Sequence, residues 1–74
     1  MQSIYSPDYK AFLARLRQRR LAKRLTQVQV AKALGKPQSF VSKVETGERR
    51  LDPLELKAMA KLYDVSIDRL LGHS

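Results

Sequence analysis

The chain has 74 residues, enough for one domain that buries about 60% of its unfolded surface, and too few for an enzyme with a separate substrate domain. It contains no cysteine, so neither a disulfide framework nor a thiolate zinc site supplements the core, and an oxidising compartment is not indicated. Fifteen Lys and Arg against seven Asp and Glu give a formal charge of +8 and a pI near 10.3, the footprint expected for a polyanionic partner. That excess is unevenly placed: residues 1–50 hold twelve basic and three acidic groups, and residues 51–74 hold three and four. The working surface is therefore expected in the first two thirds, leaving the last third for packing or self-association.

The longest apolar runs reach three or four residues, and the stretch from Met1 to Pro7 has no continuous apolar core. This pattern fits neither a membrane span nor a secretory leader. There are no repeats, and each Gly and Pro falls where a helix should start or stop, so the whole chain reads as helical. Ser6-Pro7 caps a first helix over about residues 7–24, with an apolar stripe of Tyr9, Phe12, Leu13 and Leu16. Stepping about 100° per residue places Arg20 in the same stripe. A guanidinium there needs a carboxylate, and Glu45 or else Glu48 is the candidate.

Thr26 caps a second helix over about 27–34 that turns Val30, Ala31 and Leu34 inward, with Gly35 just past its end. Pro37 is expected to open a third helix over about 37–45, with Pro37, Val41 and Val44 on one side and Gln38, Ser39, Ser42 and Lys43 on the other. Gly47 ends it. Asp52-Pro53 then starts a fourth helix, about 53–63, which buries Leu56, Met59, Ala60 and Tyr63. Ser66 caps a last helix, about 67–71, with Ile67, Leu70 and Leu71 apolar, and Gly72 stops it.

Two short helices joined by the turn Gly35-Lys36-Pro37 form a helix-turn-helix over residues 27–46. Within it, Gln27, Ala31, Gly35, Val41, Val44 and Glu45-Thr46-Gly47 resemble the signature of the Cro/CI-type family, also called XRE. Upstream, Leu16-Arg17, Arg20 and Leu25-Thr26 resemble the family's first helix and junction. Downstream, Pro53, Leu56, Met59-Ala60 and Val65-Ser66-Ile67-Asp68 with Leu70 resemble its fourth and fifth helices. The resemblance covers about residues 12–71 within a single domain spanning 1–74. It implies an all-α, five-helix, lambda-repressor-like DNA-binding domain and a sequence-specific transcriptional regulator, expected to repress. Its expected partner is double-stranded DNA, bound as a homodimer on a palindromic operator in a bacterial cytoplasm or nucleoid.

The residue types fit that chemistry. Ala31 must be small where the two motif helices cross, and Gly35 must accept positive φ. Gln38, Ser39, Ser42 and Lys43 carry groups able to reach base edges; glutamine can pair with adenine in two hydrogen bonds and lysine can donate to guanine. Gln27 stands in the first turn of the second helix, whose amides attract phosphate, and the resemblance implies the same backbone contact. Lys36, Thr46, Arg49 and Arg50 flank the reading helix and are expected at phosphates. The resemblance implies pairing of Arg20 with Glu45 as a structural bridge. Arg15, Arg17, Arg19, Lys23 and Arg24 form a field-generating face of the first helix. Val65, Ile67 and Leu70 are placed near a dimer interface, each being equally a core position.

Three residues depart from the family pattern: Lys36 stands for an apolar turn residue, Val28 for a charged one, and Phe40 for a small polar one. Phe40 has three open placements: against a thymine methyl, against the sugar-phosphate backbone, or inward. Nothing indicates catalysis, a metal or a cofactor. The one histidine, His73, reads as a disordered tail residue rather than a ligand or base. A membrane-surface role would require the first helix to abandon the core. The competing reading is an antitoxin or adaptor that holds a partner protein, but such a surface should expose aromatic or aliphatic groups, and the outward face of the third helix is polar apart from Phe40.

Overall fold

The computed structural model describes residues 6–73; Met1 to Tyr5 and Ser74 lie outside the described residues, and with Met1 to Tyr5 most of the stretch judged for a leader. Those described form five helices and no strand: α1 Pro7–Ala22, α2 Gln27–Leu34, α3 Gln38–Thr46, α4 Pro53–Leu62 and α5 Ile67–Leu70. Four helices start on a side-chain cap. Ser6, Thr26, Asp52 and Ser66 each accept from the backbone N–H three residues on. At Thr26 and Asp52 the third helical residue, Gln29 or Glu55, bonds back to the cap N–H and completes a capping box.

The third helix departs from expectation. Pro37 is its N-cap, with extended backbone (φ −71°, ψ 156°), and the helix begins at Gln38. Having no side-chain acceptor, Pro37 provides no cap hydrogen bond, and it lies exposed instead of on the inner face. Phe40 takes that inner position, 7% exposed beside Val41 and Val44.

The first helix also stops earlier than expected, at Ala22. Arg24 adopts a left-handed backbone (φ 57°), its N–H bonds to the Leu21 carbonyl at 2.9 Å, and Leu25 N–H reaches back to Arg20 at 3.2 Å. This paired closure satisfies the carbonyls left open at a helix C-terminus. It recurs after α4, where Asp64 (φ 56°) bonds to Lys61 and Val65 to Ala60, and after α2 and α5, where Gly35 and Gly72 occupy the left-handed position.

The core draws on every helix. Leu16, Val30, Val41, Val44, Met59, Tyr63 and Leu70 are each less than 2% exposed, with Phe12, Ala31, Phe40 and Ala60 completing it. Tyr9, Leu13, Leu34, Leu56 and Ile67 pack half-buried around that centre, whereas Leu71 is 49% exposed. The helices α2 and α3 pack directly on each other, α1 braces α3, and α4 braces α2. The short α5 touches only α1 and α4 among the described helices, so it lies outside the helix-turn-helix. His73 differs from its expected place in a disordered tail: its N–H bonds to the Asp68 carbonyl at 2.8 Å. Its side chain lines a cleft of about 480 Å³ between the start of α1, the α3–α4 linker and the end of α5.

Candidate nucleic-acid interface

Arg20 sits in the buried stripe of α1 at 7% exposure. Its Nε donates to Glu45 Oε2 at 2.6 Å and its Nη2 to Oε1 at 3.1 Å, while Nη1 donates to the Leu25 carbonyl at 2.9 Å. The hydrogen bonds it donates to Glu45 hold the guanidinium above its ordinary pKa, against the opposing effect of burial. A charge so withdrawn from water is tolerable only with such full pairing. Of the two carboxylates the stripe left open, Glu45 is the partner; Glu48 is exposed and lies near the Thr46 hydroxyl.

The network continues outward from Glu45. Gln27 Nε2 donates to Glu45 Oε1 at 3.0 Å, and Gln38 Nε2 donates to Gln27 Oε1 at 2.7 Å. The order of donors is dictated by the carboxylate. Because an ionised Glu45 only accepts, Gln27 must turn its NH₂ inward and its carbonyl oxygen toward Gln38. Gln38 must then donate to Gln27, which leaves its own Oε1 and one N–H for a ligand.

Beside Gln38, the outer face of α3 carries Ser39 and Lys43, both exposed, and Ser42, half-buried. Gln27 is half-buried at the first turn of α2. These five residues lie on the adjoining starts of the two motif helices and on the face between them.

The remaining cations separate into distinct settings. Lys36 and Arg49 lie over the Phe40 ring, with Nζ and Cζ 5.2 and 4.7 Å from its centroid. Of the three placements open to Phe40, the structure thus takes the inward one, with its ring face under two cations. Both cations also meet Glu55, Lys36 at 3.6 Å and Arg49 through two bonds of 2.8 and 2.9 Å. The carboxyl of Glu55 is drawn down to about 2, first by the Arg49 hydrogen bonds and then by the Asp52 N–H. Arg50 instead stacks 4.6 Å above the Tyr9 ring, against the cleft beside α1. The Thr46 hydroxyl turns back to donate to the Lys43 carbonyl at 3.2 Å. Sequence reasoning missed Glu55 and the Phe40 stack, since Lys36 and Arg49 stand in the turn and linker, outside any helical periodicity.

Of the apolar groups placed near a dimer interface, Leu70 is committed to the core at 1% exposure, while Val65 and Ile67 are half-buried. No described helix is long and apolar enough to cross a membrane.

Five short helices in which two adjoin through a glycine turn, with a polar outer face braced by a buried ion pair, define a helix-turn-helix domain. A model of the helix-turn-helix family matches residues 16–70. The chain belongs to the Cro/CI-type (XRE) helix-turn-helix family. It is similar to the uncharacterized HTH-type transcriptional regulator YobD of Bacillus subtilis (strain 168), with 42% identity over 62 residues. That match takes in 82% of this chain and 54% of the relative, so the chain spans about half the length of the curated relative it matches.

Proposed function

We propose that this chain is the DNA-reading part of a transcriptional regulator, a repressor that places α3 in the major groove of a palindromic operator. The observation carrying this reading is the orientation of Gln38. With one N–H engaged by Gln27, it keeps a carbonyl oxygen and a second N–H, the acceptor and donor types that complement the N6 and N7 edge of adenine. Lys43 adds a donor suited to guanine, and Ser39 and Ser42 supply hydroxyls on the same face. The Gln27 amide and the first turn of α2 would hold a phosphate on one side of that groove. The charge of +8 supports association with a polyanion. The relative's name as a transcriptional regulator agrees with this role.

A single reading helix contacts few base pairs, so useful affinity calls for a homodimer with half-sites about 34 Å apart. Its interface would use Val65 and Ile67, with the exposed Leu71 replacing Leu70. The outward face of α3 offers a partner protein no aromatic anchor, because Phe40 is buried, and the exposed Val28 lies on α2.

The test is selection of random duplexes at about 0.15 M salt, with Gln38→Ala and Lys43→Ala in parallel. An enriched inverted repeat, relaxed at defined positions in each variant, is the expected result. Uniform enrichment of all sequences would reject specific reading by α3.

A further inference from the structure

The two edges of α3 are built differently. Taking Gln38 as 0° and about 100° per residue, Ser42, Thr46, Ser39 and Lys43 fall at about 40°, 80°, 100° and 140°. Glu45 then lies at about 340° on one edge and Phe40 at about 200° on the other. A helix in the major groove has a sugar-phosphate wall beside each edge. Gln27 stands at the Glu45 edge. At the Phe40 edge stand Lys36, from the turn before α3, and Arg49, from the linker after it.

We propose that Glu55 is a positioning residue which, with the Phe40 ring as platform, builds Lys36 and Arg49 into a phosphate grip for the groove wall opposite Gln27. This rests on the DNA-reading role proposed above. The hydrogen-bond inventory of Arg49 carries the proposal. Its Nη1 donates to Glu55 Oε1 and to the Arg50 carbonyl, at 2.8 and 2.7 Å, and its Nη2 donates once, to Glu55 Oε2 at 2.9 Å. The Nε–H and the second Nη2–H make no hydrogen bond among the described residues. They lie along one edge of the guanidinium and form the two-pronged donor that fits two phosphate oxygens. Glu55 occupies the end of the guanidinium and so aims its side.

Glu55 is itself held in place. Its side chain is 13% exposed, and Oε1 accepts the Asp52 N–H at 3.0 Å in the capping box of α4. Lys36 and Arg49 on one ring would repel each other and swing apart without the carboxylate between them. The anion therefore keeps two cations at the ends of α3 in fixed positions.

Simple charge arithmetic gives the opposite sign. An acid near DNA repels phosphate, so neutralising it should tighten binding, whereas loss of a positioning acid should loosen it. The test is Glu55→Gln, since glutamine also serves at the third position of a capping box and leaves α4 capped. Binding to a random-sequence duplex is measured from 0.05 to 0.3 M salt, about the range over which counterion release is read. Arg49→Lys serves as a second variant that keeps the charge but loses the fork, and Asp68→Asn as a charge control on α5.

Glu55→Gln is expected to weaken binding by about three- to tenfold, with the salt slope reduced by about one. Arg49→Lys should weaken it similarly, while Asp68→Asn leaves it unchanged or tighter. In the Arg49→Lys background, Glu55→Gln should cause a smaller loss, since only the hold on Lys36 remains to be released. Unchanged or tighter binding by Glu55→Gln, or an equal loss in the Arg49→Lys background, would overturn the grip and leave DNA reading intact. Absence of salt-dependent duplex binding by the unaltered protein would overturn both.

Discussion

Gln38 and Gln27, the first residues of α3 and α2, are joined side chain to side chain at 2.7 Å. The bond makes the amide proposed to read bases an extension of the residue proposed to hold the backbone. Gln27→Ala and Gln38→Ala should each weaken binding to a selected duplex, and the double variant should lose less than their sum. A coupling of at least about 0.5 kcal/mol in a double-mutant cycle is expected for residues in one network. Additive losses would show that the pair does not act as a unit on DNA.

The Arg20–Glu45 bridge is nearly sealed from water, with side chains 8% and 6% exposed. Glu45→Ala leaves a buried guanidinium without its partner and should cost about 3–5 kcal/mol in urea denaturation. Replacing both residues by methionine should recover most of that loss, because an apolar pair fills the space without a desolvation penalty. The double variant should nevertheless bind a selected duplex poorly, since Gln27 loses the acceptor that orients it.

Arg24 and Asp64 hold the left-handed closures after α1 and α4 without being glycine. Such a backbone costs a side-chain-bearing residue about 1–2 kcal/mol, partly offset by the greater freedom of glycine in the unfolded chain. Arg24→Gly and Asp64→Gly should each raise stability by up to about 1 kcal/mol. The exposed Lys23–Asp64 contact at 3.7 Å, lost in the second variant, contributes little. A fall in the denaturation midpoint for Arg24→Gly would contradict this account.

Two groups should shape the pH profile from opposite ends. Glu55 is held at about 2 against an ordinary 4.5, chiefly by its hydrogen bonds from Arg49. Its folded pKa is lowered, so its contribution is full above pH 4.5 and drains away as pH falls toward 2. Tyr63 is pushed up by burial to about 12 from an ordinary 10, and its hydroxyl has no protein partner among the described residues. Its folded pKa is raised, so stability is undiminished below pH 10 and falls as pH rises toward 12. Glu55→Gln should flatten the acid limb and Tyr63→Phe the alkaline one. Tyr63→Phe should also stabilise at neutral pH, by about 1 kcal/mol, because it removes an unpaired buried hydroxyl. Thermal midpoints across pH measure all three effects.

Local chemistry was legible in the chain. Capping residues and glycines marked helix ends, and the angular position of Arg20 on α1 demanded a carboxylate before any fold was known. What escaped reading lacked a local signal. Arg24 and Asp64 are ordinary residues in a backbone state reserved by habit for glycine, so α1 looked two residues longer than it is. Proline at position 37 suits a cap as well as a first helical turn, and only packing decided that Phe40 would face inward in its place. Glu55 meets Arg49 across the linker and Lys36 across the motif, which no periodicity reveals. The outward face of α3 was identified by its polarity, but the direction of donation from Gln38 follows from Glu45.

Arg20 has one further consequence, which concerns motion. Its three hydrogen bonds tie α1 to the junction before α2 and to the last turn of α3. Fraying of either motif helix at those points would strand a buried cation, so the backbone amides around them should exchange with solvent only when the whole domain opens. The surface proposed to read DNA would therefore meet its target already assembled. Most of the ordering entropy is incurred during folding, leaving little to be lost at the moment of contact.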